Sequence, residues 1–422
     1  MLRLLLRRRD FALVWTAGLI SMMGDWVLWI ALPIRVYELT GSALATAAVI
    51  ASLVAPEIVL GSIAGVFVDR WDRRRTMVIA NALQAVALLP LFLIDSEAAI
   101  WFAYPVMAVS AALFTFTEPA ENAFLPRLVP DDELTTANAL NALNNSLARL
   151  VGPAVGGALF LAGGLGLVAA VDALTFLVAA ALVAAVRASG APEPREQSED
   201  DAAHALVRVG REWVDGLRVI RRSRIVSVVL GVTAATAIGE GIFGVMFIVW
   251  VKRVIDGGAP ELGWFMSGQA VGGILGGVVA GWVAKRLAPE RLFALGLLVF
   301  GILDLALFNY PLVIGGVALG LALIVLVGIP GVASRAARQT LIQSEVPDRY
   351  RGRVFGALGT TAAGLMLVST LIAGAIGETV GPIAMLNVQG GAYVVAGVLV
   401  LVLLRRAVNE ARRPLEAAPQ DA

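Results

Sequence analysis

The sequence predicts an all-α membrane protein with twelve transmembrane helices in two pseudo-symmetric halves of six. Three observations lead to this prediction: twelve apolar segments of membrane-crossing length, basic residues concentrated on one side of them, and an internal repeat. With 59% hydrophobic and 15% charged residues, a soluble chain of 422 residues would have too little polar surface.

Each apolar segment approaches the ~20 residues that a helix needs to cross the ~30 Å hydrocarbon layer. The crossings, numbered 1 to 12, are predicted at residues 11–35, 44–68, 76–95, 98–120, 138–162, 165–186, 225–250, 262–284, 290–309, 312–334, 354–378 and 380–404. The first crossing follows a basic stretch, as in a signal peptide, but it is too long for one and lacks a cleavage site of small residues. We therefore expect it to be retained.

The positions of Lys and Arg predict the orientation. Of the 33, 29 lie before crossing 1, after crossing 12 or in the gaps after even-numbered crossings, whereas the opposite side has only Arg35, Lys252 and Arg253. Positive charge is retained on the cytoplasmic face, so both termini are expected in the cytoplasm, and a bacterial inner membrane is the expected location. The basic residues serve topology, and a net charge of +1 gives no reason to expect a nucleic-acid partner.

Several classes of chemistry are not expected. The chain has no cysteine, and its single histidine, His204, cannot form a histidine-rich metal site. No nucleophile motif, metal cluster or phosphate-binding loop is recognisable, so we predict neither an enzyme nor a cofactor.

A polar stretch after crossing 6 predicts the domain boundary. The N-terminal half is expected at 1–187, a cytoplasmic linker at 188–224, and the C-terminal half with a short tail at 225–422. The second part of the linker has the pattern of an interfacial amphipathic helix. Its apolar face is formed by Leu206, Val209, Trp213, Leu217 and Ile220.

The two halves resemble each other at a shift of about 216 residues. Gly24-Asp25 in crossing 1 aligns with Gly239-Glu240 in crossing 7, and Gly65-x-x-x-Asp69-Arg70 aligns with Gly281-x-x-x-Lys285-Arg286. Ala120 to Asp131 also aligns with Ala337 to Asp348. Such internal repeats are typical of secondary transporters.

Two motifs carry a family resemblance. The loop Gly65-Val-Phe-Val-Asp69-Arg70-Trp-Asp-Arg73-Arg-Arg closely resembles the signature loop of the major facilitator superfamily. In crossing 5, Gly152-Pro153-Ala-Val-Gly156-Gly157 is similar to the motif of its proton-driven exporters. Phe116-Thr-Glu-Pro-Ala and Arg351-Gly-Arg353-Val further resemble the subgroup of enterobactin exporters and macrolide-efflux proteins.

The resemblance covers roughly residues 7–406. It implies the major facilitator fold and a monomeric, proton-coupled exporter of small amphipathic compounds of the drug, macrolide or siderophore type, working by alternating access. The fold alone leaves open an importer, a lysophospholipid-flipping carrier, or a non-transporting receptor or scaffold.

The signature loop, residues 65–75, is called the latch loop below. Gly65 and Asp69 are one helical turn apart, so Gly65 leaves room for a neighbouring helix that Asp69 also faces. The resemblance implies that Asp69 lies against the positive N-terminal end of crossing 11, while Arg70 and Arg73 pair with acids such as Glu121. Such contacts would favour the state closed to the cytoplasm.

Three charged residues reach the middle of the predicted bilayer: Asp25, Arg149 and Glu240. Charges at this depth are costly and are retained for function or for pairing. Asp25 is the expected protonation site and Arg149 its partner, with Glu240 a second acid or a contact for a cationic substrate. A purely structural Asp25–Arg149 pair is the alternative. Crossing 4 lacks the basic residue that many multidrug exporters carry there.

The expected substrate cavity is aromatic, which suits amphipathic ligands. Its candidate residues are Trp26, Trp29, Phe114, Glu118, Phe243 and Phe247, although any of these rings could equally face lipid or core. Structural pairing is the favoured role for Glu118 and Glu121. Glu57 is ambiguous, and Asp172 and Asp304 are expected to be structural.

The asymmetry of 29 basic residues to 3 yields the first testable prediction. Reporter fusions at Asp421 and within 193–201 should both behave as cytoplasmic, because Lys and Arg hold these segments inside. Activity of alkaline phosphatase, which requires export, would contradict the topology if it appeared at either site. A fusion next to Lys252 is the matched control and should report the opposite side.

Overall fold

The computed structural model describes residues 2–191 and 201–416, and within these ranges the regular secondary structure is entirely helical. Eleven described helices are long and apolar enough to cross a membrane, and one of them, Asp131–Ala184, contains 54 residues. At about 1.5 Å per residue this length would cover the hydrocarbon layer more than twice. A break inside it makes two crossings, so the prediction of twelve transmembrane helices is confirmed.

The membrane helices are named in chain order. They are α1 (Arg9–Thr40), α2 (Ala43–Arg70), α3 (Arg73–Ala87), α4 (Ala103–Phe124), α5 (134–162) and α6 (165–184), then α7 (Arg224–Arg253), α8 (Ala259–Val283), α9 (Pro289–Asn309), α10 (Val317–Glu345), α11 (Asp348–Val380) and α12 (Pro382–Glu416). A linker helix, Asp201–Arg222, precedes α7. Several helices extend past the predicted crossings because backbone outside the hydrocarbon continues the same hydrogen-bond ladder.

The α5–α6 break lies at two consecutive glycines. Gly163 has φ −152° and Gly164 has φ 64° with ψ −163°, inside one helical assignment from Leu134 to Ala184. The Gly164 conformation is essentially restricted to glycine. The break therefore separates α5 from α6 without a connecting loop.

Pro90 sets the end of α3. The regular helix stops at Ala87 and continues as a 3₁₀ turn over Leu89–Leu93. Proline has no N–H for the helical ladder and disfavours the α conformation in the residue before it. The predicted crossing 3 therefore consists of an α-helix with a tighter terminal segment.

Cα positions divide the chain into two compact units. Unit 1 contains Met1–Val209, Ile248–Ser267 and Gly374–Glu378, and unit 2 contains Gly210–Phe247, Gly268–Ala373 and Thr379–Ala422. Residues 192–200 of the predicted linker lie outside the described residues.

From Gly210 onward, the linker helix is part of the packed core of unit 2. Ile220 is completely buried, and Gly216 brings the helix against the backbone of Arg353 in the first turns of α11. Trp213 donates its indole N–H to Thr361 Oγ1 at 3.3 Å. The predicted apolar face therefore packs on protein at its C-terminal end. The side chains of Leu206 and Val209 lie outside the described residues.

Arginines of the latch loop and its surroundings bind backbone carbonyls at the end of α6 and in the segment after it. Arg74 donates to the carbonyl oxygens of Val183 and Ala184, and Arg73 and Arg127 donate to that of Ala191. The last carbonyls of a helix lack intrahelical partners and carry partial negative charge. Arg74, one residue of the basic cluster, therefore binds the carbonyl end of a helix.

The three basic residues expected on the opposite side also have partners in unit 1. Lys252 lies 3.1 Å from Glu38, and Arg253 lies 3.8 Å from Glu378. Arg35 donates to the carbonyl oxygen of Asp95. Glu378 also accepts the N–H of Ala43 at the first turn of α2, where the helix dipole favours an anion.

The α5–α6 break is tested by replacing Gly164 with alanine. Gly164→Ala should lower the free energy of unfolding by roughly 1–3 kcal/mol, because a Cβ disfavours φ 64° with ψ −163°. Gly166→Ala is the control, since its Cβ would meet only Phe92 Cδ1 at 3.8 Å. Thermal unfolding in detergent measures both, and equal midpoints would argue that the break needs no glycine.

Candidate functional site

A cavity of about 290 Å³ lies among the six helices α1–α6 of unit 1. Its walls contain three carboxyl groups, several polar groups and four aromatic rings. The lining residues are Met22, Asp25, Trp26, Leu28, Trp29, Leu53, Glu57, Leu88, Met107, Ser110, Ala111, Phe114, Thr115, Asn145, Asp172 and Phe176. A mostly apolar cavity with a few polar groups is the common form of a small-molecule site.

Four of the sequence-predicted site residues meet in this cavity. Asp25, Trp26 and Trp29 reach it from α1, and Phe114 reaches it from α4. The rings of Trp26 and Trp29 contact each other, with centroids 5.6 Å apart at 59°. Glu57, whose role is ambiguous from the sequence, also lines the cavity.

Sequence reasoning missed Asp172, which was expected to be structural. Asp172 projects from α6 and is fully buried, yet it lines the same cavity as Asp25. Thr175 Oγ1 donates to its backbone carbonyl at 2.7 Å and to Oδ1 at 3.3 Å. Among the described residues, none offers a hydrogen-bond partner to Oδ2 of Asp172.

Gly24 determines how α6 and α1 meet. A Cβ on Gly24 would overlap Oδ1 of Asp172 and Oγ1 of Thr175. The absence of a side chain therefore lets the Asp172 carboxyl lie against α1, next to the residue that carries the Asp25 carboxyl. The sequence motif Gly24-Asp25 thus contributes both an acid and the space for a second one.

Arg149, the predicted partner of Asp25, lies on α5 with its guanidinium carbon 6.0 Å from the centroid of the Trp26 ring. This is within the range of a cation–π interaction. The structure therefore places Arg149 beside the residue that follows Asp25, and the Asp25–Arg149 pair stays a prediction.

The glycines of the crossing 5 motif are contact points for other helices in unit 1. Cβ atoms on Gly152 and Gly156 would press on Trp26 and on the backbone of Val27 in α1. Gly157 meets the backbone of Ala259 at the start of α8. The carbonyl group of Pro153 in turn lies against Gly263 of α8, so here the glycine is on the other helix. Small residues here allow backbones to approach closely.

Unit 2 contains a second group of acids. Tyr393 of α12 donates its hydroxyl to Glu240 of α7 at 2.7 Å. The buried Asp304 of α9 accepts from Gln389 Nε2 at 2.7 Å. Gly239 lies against Gln389 and Tyr393, so this glycine admits polar side chains of α12 as Gly24 admits Asp172 of α6.

The predicted aromatic residues of α7 pack with each other. The rings of Phe243 and Phe247 are stacked, with centroids 4.7 Å apart at 19°. Phe247 is only 1% exposed and also meets Phe308 of α9 edge to face. In this structure the two phenylalanines contribute to the core of unit 2.

The latch loop has its residues in different environments. Asp69 and Arg70 are exposed at the end of α2, and Arg73 is half-buried. Glu121 on α4 accepts from Asn141 Nδ2 at 3.3 Å, and Glu118, one turn earlier, is exposed. The surroundings of Gly65 lie outside the described residues.

Comparison with known proteins agrees with this architecture. Residues 5–421 match the model of a family described as transmembrane secretion effector. The chain is 27% identical over 389 residues to macrolide efflux protein A of Streptococcus pyogenes, covering 88% of this chain and 90% of that protein. It is 25% identical over 421 residues to the multidrug efflux pump Tap of Mycobacterium bovis (strain BCG / Pasteur 1173P2), covering 97% and 95%.

A solved structure shares the fold. A bacterial homologue of the iron transporter ferroportin, crystallised in an inward-facing state, superimposes with a TM-score of 0.73 at 17% identity. The match covers 94% of this chain and 98% of that chain. At this identity the similarity concerns the fold.

The contact between Gly24 and Asp172 is testable. Gly24→Ala should lower the free energy of unfolding by about 1–3 kcal/mol, because the added methyl group forces the Asp172 carboxyl and α6 away from α1. Gly18→Ala on the same helix is the control, since its Cβ would meet Glu121 and Asn144 at an ordinary 3.5 and 3.6 Å. Thermal unfolding measures both, and equal losses would show that Asp172 is not held against Gly24.

Proposed function

Because the chain belongs to the transmembrane secretion effector family of the major facilitator superfamily, we propose that it is a proton-coupled exporter of small amphipathic compounds. The cavity shared by Asp25, Asp172 and four aromatic rings carries this proposal. An efflux role is also supported by the names of two relatives, a macrolide efflux protein and a multidrug efflux pump.

The groups that line the cavity are suited to coupling proton movement to substrate movement. A carboxyl group surrounded by protein and lipid can be neutral with a proton bound, or ionised with a cation close to it. Loss of the proton changes the charge of the group by one unit. Asp25 is half-buried and belongs to the cavity, so it can exchange a proton with water that enters. The aromatic walls offer apolar and polarisable surface to a substrate in the same space.

Alternating access requires contacts that exist in only one of two states. The latch loop is suited to this role, because Asp69 and Arg70 are exposed at the end of α2 while Arg74 is bound to the end of α6. Asp69 would bind the positive end of α11 when the cytoplasmic side is closed. Glu240 would act as the second acid, in the half that repeats the first.

We also infer the location, orientation and oligomeric state of the protein. The protein would act as a monomer in a bacterial inner membrane, with both termini in the cytoplasm and two six-helix halves, 1–187 and 225–422, joined by the linker at 188–224. Two of the basic residues that support this orientation, Arg74 and Arg127, bind backbone carbonyls at the end of α6 and just after it.

Asp25→Asn tests the coupling. In proteoliposomes with an imposed pH gradient, this substitution should reduce the initial rate of substrate movement at least tenfold, because an amide keeps the shape of the carboxyl but cannot exchange a proton. A panel of macrolides, dyes and siderophores supplies the substrate. Glu97→Gln, a change at an exposed acid outside the cavity, is the matched control and should transport normally.

The double substitution Asp25→Asn with Arg149→Met separates coupling from structural pairing. If Asp25 serves only to neutralise Arg149, removing both charges should restore stability and pH-driven transport together. Recovery of transport in the double variant would therefore contradict a coupling role for Asp25. Continued loss of transport in a stably folded double variant supports it.

A further inference from the structure

We propose that the cavity of α1–α6 is a binding site for a protonated amine attached to an aromatic or alkyl body, with Asp25 and Asp172 as the residues that hold the ammonium group. This deepens the proposed function by naming a substrate class for its site. It rests on that proposal only for the direction of movement.

The charge of the walls selects the ligand. Three carboxyl groups line the cavity, from Asp25, Glu57 and Asp172, and among its described lining residues none is Lys, Arg or His. A carboxylate in surroundings of low polarity is stabilised by a cation close to it. An anionic ligand would instead meet carboxyl oxygens and no basic side chain in this lining, so the walls discriminate by sign.

Two buried polar atoms in the wall have no protein partner among the described residues: Oδ2 of Asp172 and Oγ of Ser110. Asp172 is 0% exposed and Ser110 is 8% exposed, and both residues line the cavity from different helices, α6 and α4. Leaving a buried polar group without a partner is energetically unfavourable. A ligand that donates N–H bonds into this wall removes that cost, which a permanently alkylated ammonium cannot do.

The aromatic walls suit the rest of the ligand. Trp26 and Trp29 form a contacting pair next to Asp25, and Phe176 lies on α6 one turn beyond Asp172. The Trp26 ring already has one cation near it, the guanidinium of Arg149 at 6.0 Å. Tryptophan faces attract cations through their quadrupole, so these rings can contact both an ammonium group and an apolar body.

The size of the cavity limits what enters it. A volume of about 290 Å³ is near the lower end of the ~300–1,000 Å³ range of ligand pockets. An aromatic amine fits such a space, and so does the amine-bearing end of a larger amphipathic molecule. The geometry therefore assigns this cavity to the charged end of the substrate.

Three probes of similar shape test the site on the purified full chain in lipid nanodiscs. 2-Phenylethylamine carries charge and N–H donors, 2-phenylethyltrimethylammonium carries charge alone, and 2-phenylethanol is neutral. The proposal predicts that the amine binds tightest and the alcohol at least tenfold more weakly, measured by isothermal titration. Equal affinity of the amine and the alcohol would overturn it.

Variants locate the binding. Asp172→Asn and Asp25→Asn should each weaken amine binding about tenfold while leaving the weak binding of the alcohol unchanged, and Glu97→Gln should change neither. Ser110→Ala, a smaller perturbation, should weaken the amine several-fold and keeps the test open if an Asp172 variant does not fold. Unchanged amine affinity in folded Asp25, Asp172 and Ser110 variants would refute the site.

Failure of the site and failure of export are separable. Amine binding that requires Asp172, without pH-driven transport of any compound in proteoliposomes, would support the site and contradict the exporter proposal. Transport of a neutral compound, together with amine binding that does not depend on Asp172, would support the exporter proposal and contradict the site.

Discussion

The close approach of α6 to α1 at Gly24 is the contact on which the candidate site depends. Because Gly24 has no side chain, the Asp172 carboxyl lies directly against α1 beside Asp25, within the membrane-spanning part of unit 1. Polar groups in this environment are costly unless they find partners. Asp172 has one partner in Thr175, and its buried Oδ2 has none among the described residues, so a proton or a ligand in the cavity that Asp172 lines can supply the other.

A glycine contact between helices also occurs in unit 2, but there it meets different side chains. Gly239 occupies the position that repeats Gly24, and it is met by Gln389 and Tyr393 of α12 instead of a carboxylate. There the acids have partners: Glu240 accepts from Tyr393, and Asp304 accepts from Gln389. The repeat therefore retains the glycine contact while the chemistry around it differs. In unit 1 a buried acid that lines a cavity has an oxygen without a partner among the described residues, and in unit 2 the acids are hydrogen-bonded.

Much of the fold could be predicted from the sequence, because a crossing is a local property of about 20 consecutive residues. The same holds for Gly164, whose neighbour Gly163 marks the short turn between crossings 5 and 6. The role of Asp172 could not be predicted in this way. Its significance depends on the rotation of α6 about its axis and on its contact with a glycine almost 150 positions earlier in the chain. At a shift of 217 residues, the shift that aligns Ala120 with Ala337, Asp172 aligns with another polar residue, Gln389.

Asp25, Trp26 and Trp29 could be predicted to lie near a cavity because they share one helix and similar depths in the membrane. The same argument from depth also places Phe247 at the cavity, but in this structure its ring packs in the core of unit 2. Depth along a helix is readable from residue number, but the direction in which a side chain points is set by packing. Phe247 is buried against Phe243 and Phe308, and only tertiary contacts reveal this.

The central claim is that one pair of carboxyl groups, Asp25 and Asp172, serves both a proton and the charged end of a substrate. Proton release into weakly buffered solution, measured with a pH-indicator dye when 2-phenylethylamine is added to the purified protein, tests it most directly. Wild-type protein should release protons in proportion to the amine bound, and Asp172→Asn should release markedly fewer at equal occupancy. Equal proton release per bound amine in the two proteins would contradict the claim.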